Sequence, residues 1–542
     1  MAAPNPTCPS FKKWRGVSKR NHQRLQDDTK PPVFAPKFNV YVPPDLQDLL
    51  QTRPRNFSPD DLSGAVAAIQ GSDKLQWLPA TRAIRKALSK ESKPPIQEIV
   101  DLGALPRLVY LMTLKEVPEL QLESAWAVCN VASGTSAQCS AAVEAGALPP
   151  AMQLLAAETS NLREQAAWLL GNVAGDGATL RDKCLEAGML PPLLAAADGE
   201  TEVKPLRQYI WLLLNVTRFK PRQRQTLLDV LPCVARVAAS TEDDETLADG
   251  MSALAHIADD CTAEVVAAAR AAVERAGKLV NNPATPKGVV LSASKVLSAL
   301  CAGDEAATQL VIDTGVLAGG YKRLLEEDTG AGLLREVAFA ISNIAAGTQD
   351  QALAVVEAGL LAPLAAVFRR CPSADAVHRE ATWALSNIAT KGLPSLAHAV
   401  LQAGAAAPLA DYLCSHAAKA GRIDVTSTVA AAEALLAMAQ AGALSSGDAP
   451  AAAPPAAATD NEGEAKGESN GEAAAAAAAA SPSPPANPAV AEYAEKGVYE
   501  RLQSTLDRGL LTGGALEHVR RLLDDFPPPP SPPSPSPSPP SP

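Results

Sequence analysis

Apolar residues along most of this chain return at intervals of three and four. Leu105, Leu108, Val109, Leu111 and Met112 form one such run, and that spacing places them on one face of a helix. A small turn recurs between the runs. It reads Leu102-Gly103-Ala104-Leu105-Pro106, Ala145-Gly146-Ala147-Leu148-Pro149 and Ala187-Gly188-Met189-Leu190-Pro191, then Thr314-Gly315-Val316-Leu317, Ala358-Gly359-Leu360-Leu361 and Ala403-Gly404-Ala405-Ala406. The Gly is predicted to end a short helix with a left-handed residue, and the Pro, where present, to start the next helix. The pattern therefore predicts a unit of one short helix and two longer ones.

In step with these turns runs a second pattern, Trp-x-x-x-Asn: Trp126/Asn130, Trp168/Asn172, Trp211/Asn215 and Trp383/Asn387, with Phe339/Asn343 as a variant. Trp126 to Trp168 is 42 residues, Trp168 to Trp211 is 43, and Phe339 to Trp383 is 44, the period of HEAT or armadillo solenoids. Residues four apart on a helix share a face, so each pair sets an aromatic plane beside an amide that both donates and accepts. Stacking would line the pairs into one ladder. Indoles in such an array form slots for Lys or Arg stems, each contributing about 0.5–2 kcal/mol. The Asn one turn on can hold the backbone of an extended peptide at about 0.5–1.5 kcal/mol per bond. The alternative is a core Trp beside a helix-capping Asn, but Asn is unfavourable inside helices, and its repeated pairing with Trp favours a groove.

Composition shifts divide the chain. Residues 1–60 lack helical periodicity, and the first forty carry eight Lys/Arg against two Asp. Repeats occupy 61–445. Residues 446–486, rich in Ala, Pro, Ser, Glu and Gly, are expected to be a disordered insertion. Helical spacing returns over 487–527 with Val498, Leu502, Leu506, Val519, Leu522 and Leu523, fitting a capping repeat, and 528–542 is a Pro/Ser tail of polyproline type.

Hydrophobic residues make up 47% of the chain and aromatics only 4%, so the core is built from Ala, Leu and Val. The formal net charge of −11 argues against direct nucleic-acid or membrane-surface binding and permits basic partners. We find no strongly apolar stretch of the length that spans a bilayer. Nine cysteines are scattered singly, and Cys129, Cys184, Cys233 and Cys301 read as small reduced core residues. With six His, no nucleophile elbow, no phosphate loop and no metal-ligand spacing, no catalytic residue, metal site or cofactor is expected. Asp243-Asp244-Glu245 and Asp259-Asp260 read as solvated helix ends.

The segments Trp126-Ala127-Val128-Cys129-Asn130-Val131-Ala132-Ser133-Gly134-Thr135-Ser136 and Glu164-Gln165-Ala166-Ala167-Trp168-Leu169-Leu170-Gly171-Asn172-Val173-Ala174-Gly175-Asp176 resemble the second and third armadillo repeats of importin alpha, the nuclear-import adaptor. Arg379-Glu380-Ala381-Thr382-Trp383-Ala384-Leu385-Ser386-Asn387 is similar to its eighth, and Asn487-Pro488 with the following helices to its tenth. The resemblance implies an all-α, right-handed armadillo superhelix of about ten repeats that binds basic nuclear localisation signals and moves between cytoplasm and nucleus.

It also implies two peptide sites. The major one carries over to Trp126, Asn130, Gly134, Gln165, Trp168, Asn172, Asp176, Trp211 and Asn215, with Asp176 as countercharge in the deepest lysine pocket. There the family's Thr is replaced by Cys139, expected to leave a weaker sulfur partner for the lysine head. The minor one carries over to Glu305, Thr308, Glu336, Phe339, Asn343, Glu380, Trp383 and Asn387. It is eroded in the sixth repeat by Lys295 and Ala299. In the fifth repeat, between the sites, Ser252 and His256 replace the usual Trp and Tyr, and His256 reads as a groove or core residue. Monopartite signals are accordingly expected mainly at the major site.

The family's N-terminal basic segment binds importin beta and folds back as a cargo mimic. Here Lys12, Lys13, Lys19 and Arg20 offer only a short counterpart interrupted by Pro and Gly. A working segment, an importin-beta-independent adaptor and a transit peptide all remain open at this stage. An export receptor for recycling follows from the resemblance. A general armadillo scaffold is the other reading, disfavoured by the Trp/Asn pairs and Asp176.

Overall fold

The computed structural model of the chain describes residues 57–58, 61–417, 425–446 and 487–529. Lys12, Lys13, Lys19 and Arg20, insertion residues 447–486 and the tail from 530 lie outside the described residues. Every regular element among the described residues is helical. They form two compact units, one reaching Arg275 and taking in Pro286–Val296, the other made of Ala276–Thr285 and the chain from Leu297.

All six turn glycines have left-handed backbones, with φ between 69° at Gly103 and 87° at Gly146. Pro106, Pro149 and Pro191 fall in the first turn of the helices that follow. The helix lengths correct the expected unit. In the third repeat Ser136–Glu144 has nine residues, Leu148–Leu155 eight and Ser160–Asp176 seventeen, so two helices are short and only the last is long. The second stops once its buried stripe of Leu148, Ala151, Leu154 and Leu155 is spent. The third extends because it packs on its counterparts in both neighbouring repeats.

The turn motif is missing between Gly188 and Gly315, and there the first two helices of a repeat are fused. Arg224–Ser240 is one seventeen-residue helix that accommodates Pro232, and Ala263–Asn281 is one of nineteen residues. In the first unit the third helices Trp77–Leu88, Pro118–Ala132, Ser160–Asp176, Val203–Arg218 are stacked in order, with Asp244–Ala258 next. In the second unit Ala331–Ala346, Asp375–Ala389, Val425–Ser446 and Gly513–Asp525 do the same. Ala125, Ala127, Ala166, Ala167 and Ala174 on these helices are fully buried, and their small side chains let the helix axes approach. Cys129, Cys184, Cys233 and Cys301 are buried and form no disulfide among the described residues, as expected.

One expectation on apolar length is corrected. Thr426–Leu444 is long and apolar enough to cross a membrane, with a mean hydropathy of 1.3, although 72% of it is buried. It is part of the third helix of its repeat, packed against Ala406–Ala417, Pro394–Gln402 and Gly513–Asp525.

Asp243 shows how the repeats are fastened. Its carboxylate caps Asp244–Ala258 by accepting from the Thr246 N–H at 3.0 Å and its hydroxyl at 2.7 Å, and it accepts from Arg207 Nε of the preceding repeat at 2.8 Å. Burial alone would raise its pKa, but Arg207 and Thr246 outweigh burial and hold it at about 2. Losing the cap and the partly exposed ion pair in Asp243→Ala is expected to cost about 1–2 kcal/mol. Because the folded pKa lies below the ordinary 3.8, the contribution is complete above about pH 4 and is lost as pH falls towards 2. Urea melts across that range should show the variant lacking this part of the acid destabilisation.

Candidate functional site

The five aromatic/Asn pairs lie on third helices: Pro118–Ala132, Ser160–Asp176 and Val203–Arg218 in the first unit, Ala331–Ala346 and Asp375–Ala389 in the second. Each aromatic is half-buried, so it anchors the repeat and still presents surface. Asn172, Asn343 and Asn387 are also half-buried, whereas Asn130 and Asn215 are nearly covered.

The amides obey a common register. Asn172 Nδ2 donates to the carbonyl of Cys129 at 3.3 Å, and Asn215 Nδ2 to that of Gly171 at 3.1 Å. In the second unit Asn387 Nδ2 donates to the carbonyl of Ser342 at 2.9 Å. The acceptor each time is the residue just before the preceding repeat's Asn. Asn130 heads the first series by donating to Ser89 Oγ at 3.0 Å, and Asn343 turns back to Phe339 O in its own helix at 3.0 Å. The Asn172, Asn215 and Asn387 side chains are thus structural ties between repeats. Each Nδ2 is committed through at least one N–H to a neighbouring protein atom, which fixes the amide orientation. No described protein group donates to their Oδ1 atoms, so an acceptor remains for an incoming N–H.

At Trp126 an aromatic slot is already in use. The Arg85 guanidinium carbon lies 4.5 Å from the ring centroid, within cation–π range. Arg85 Nε is held there by Glu123 Oε2 at 2.8 Å, and Arg82 pairs with Glu123 and Glu119. Sequence reading missed Arg85 because it lies 41 residues from Trp126, although that distance is one repeat period.

Around the predicted lysine pocket, Asp176 ends its helix, is exposed, and accepts from Ser136 Oγ at 2.9 Å. Gly134 is exposed on the facing turn, and Gln165 is buried one turn before Trp168 with its Nε2 unpaired. Cys139 departs from expectation. It is fully buried, and burial, with Asp176 and Cys184 nearby, pushes its thiol up to about 12. A small apolar thiol is drawn into the core where a hydroxyl would seek a partner, so Cys139 presents no sulfur to a ligand.

In the second unit the acids are internally balanced. Glu336 is buried, pairs with Arg335, and accepts from Ser298 Oγ at 3.0 Å. Glu380 pairs with Arg379 at 3.0 Å, and burial lifts its pKa above the carboxylate range against that pull. Thr308 is buried and donates to the Cys301 carbonyl at 3.4 Å, while Glu305 is exposed at the start of its helix. Back in the first unit, His256 is a neutral packing residue beside Thr217 Oγ1 at 3.2 Å. Burial, with Arg222, Lys295 and Arg218 near, lowers its pKa to about 3.

Residues 92–133, 135–175 and 348–390 match the armadillo/beta-catenin-like repeat. Importin subunit alpha-1a of Oryza sativa subsp. japonica is 35% identical over 289 residues, covering 53% of this chain and 54% of its own length. Importin subunit alpha-3 of Arabidopsis thaliana is 35% identical over 278 residues, covering 50% and 52%. The chain thus spans about half the length of these curated relatives. A crystal structure of an engineered protein superposes with a TM-score of 0.66 at 23% identity, covering 86% of this chain and 98% of that one. The chain is an armadillo-repeat solenoid similar to importin alpha subunits.

Proposed function

We propose that this protein is a nuclear import adaptor. It binds extended Lys/Arg-rich localisation signals along the third helices carrying Trp126, Trp168 and Trp211. The observation that carries this reading is the keyed amide register. Asn172 and Asn215 are locked by the preceding repeat with Oδ1 unclaimed by any described group, beside half-exposed indoles, and an exposed Asp176 stands one helical turn beyond Asn172. Arg85 on Trp126 illustrates the contact that a ligand cation would make on the next indoles.

Monopartite peptides engage mainly this first cluster, since Glu336 and Glu380 in the second are already paired with Arg335 and Arg379. The likeness to importin alpha subunits supports linkage of cargo to importin beta, recycling by an export receptor, and residence in both cytoplasm and nucleus. The test is a titration of the full chain with a fluorescent Lys/Arg-rich peptide, with and without importin beta. Asn172→Ala is expected to weaken binding about tenfold, and Asn387→Ala less than threefold. Equal losses would remove the assignment to the first cluster. No binding by the wild type would leave an armadillo scaffold working through another surface.

A further inference from the structure

The first and second units each contain a turn of the same chemistry. Asn130-Val131-Ala132-Ser133-Gly134-Thr135 and Asn343-Ile344-Ala345-Ala346-Gly347-Thr348 both end a third helix. Both pass into a helix closed by a reciprocal capping box, Thr135 with Gln138 and Thr348 with Gln351. At both glycines an added Cβ would collide with the capping Gln side chain. The last carbonyls of such helices lack intrahelical partners and carry the negative end of the helix dipole, so they favour a cation.

What faces each turn differs in charge. Four residues after Asn172 stands Asp176, which reaches the first turn by accepting from Ser136 Oγ at 2.9 Å. Four residues after Asn387 stands Lys391. Its Nζ donates to the Ala345 carbonyl at 3.0 Å and also to the Gly347 carbonyl. The second turn therefore holds an ammonium supplied by the chain itself, while the first faces a carboxylate and, among the described residues, receives no ammonium.

We propose that Lys391 is a built-in occupant of a lysine cradle formed by the Ala345 and Gly347 carbonyls, and that it closes the Phe339/Trp383 cluster to a lysine of an incoming basic peptide. This rests on the peptide-binding reading above and deepens it. The two clusters are copies of one cradle, of which one awaits a ligand's lysine and the other carries its own. Removing the internal lysine opens the second cradle, and an Asp at that position rebuilds the arrangement of the first.

The test uses the full chain carrying Trp168→Ala and Asn172→Ala, so that binding at the first cluster is disabled. Into it are placed Lys391→Asp or Lys391→Met, and a fluorescent Lys-Arg-Lys-Lys-Arg-Lys peptide is titrated by anisotropy. Lys391→Asp is expected to raise affinity at least tenfold over the parent, with a smaller gain for Lys391→Met, which keeps the stem without the ammonium. An all-Arg peptide should gain less, because two carbonyls at this spacing suit the compact ammonium. Affinity unchanged in both variants overturns the proposal. Should Lys391→Asp fail to fold by circular dichroism, Lys391→Met decides by the same gain or its absence. Failure of the wild type to bind peptide would sink the adaptor reading, yet a gain on Lys391→Asp would still establish the self-filled cradle.

Discussion

The chain with Trp168→Ala and Asn172→Ala together is expected to bind a Lys/Arg-rich peptide about 100-fold more weakly than the wild type. The indole contributes about 0.5–2 kcal/mol by stacking on a basic side chain, and the amide about 0.5–1.5 kcal/mol through one peptide hydrogen bond. Together these approach about 3 kcal/mol, or two decades in affinity. Asn172 also donates to the Cys129 carbonyl of the preceding repeat, so the variant should lose about 1 kcal/mol of stability for the amide and a further part for the half-buried indole. Fluorescence anisotropy must therefore be paired with a thermal melt. A melt lowered by a few degrees with binding lost supports a direct role in the groove. Binding weakened less than threefold would show that the peptide lies elsewhere.

The turns were readable because a left-handed residue needs Gly and a helix start tolerates Pro, and both leave letters at fixed places in each repeat. Their absence between Gly188 and Gly315 was a signal the three-helix reading did not use, and there the helices Arg224–Ser240 and Ala263–Asn281 are fused. The Trp/Asn pairs were readable because four residues is one helical turn. Periodicity could not say which atoms of Asn were free, since that depends on a carbonyl one repeat earlier. Nor could it place Cys139, where resemblance supplied a pocket and packing supplied a core. Arg85 and Lys391 carried a usable signal. Each falls near one repeat period from the groups it meets, so aligning the chain to itself at about 42 residues would have set Arg85 beside Trp126 and Lys391 in register with Asp176.

Gly171→Ala offers a second large effect, because two physical rules give it opposite signs. Glycine within a helix ordinarily costs about 1 kcal/mol relative to alanine, so propensity alone makes this change stabilising. Gly171, however, lies in the middle of Ser160–Asp176, and an added Cβ would stand closer than 3.0 Å to carbons of the Trp211 ring. Its carbonyl also accepts from Asn215 Nδ2, so the helix cannot withdraw without breaking the tie to the fourth repeat. The new methyl would meet the rigid indole itself, which can yield only by rotating about its own side-chain bonds and off the third-repeat helix. Overpacking at such a contact costs about 3 kcal/mol at the upper end of its usual range. The variant is expected to unfold at lower denaturant concentration and, where folded, to bind basic peptide more weakly because Trp211 is displaced. Gly332→Ala, at a helical position with nothing within 4 Å of the new methyl, should leave stability unchanged or raise it slightly. If Gly171→Ala proved as benign as Gly332→Ala, the close seating of Trp211 on the third-repeat helix would be wrong, and with it the rigid placement of that indole in the groove.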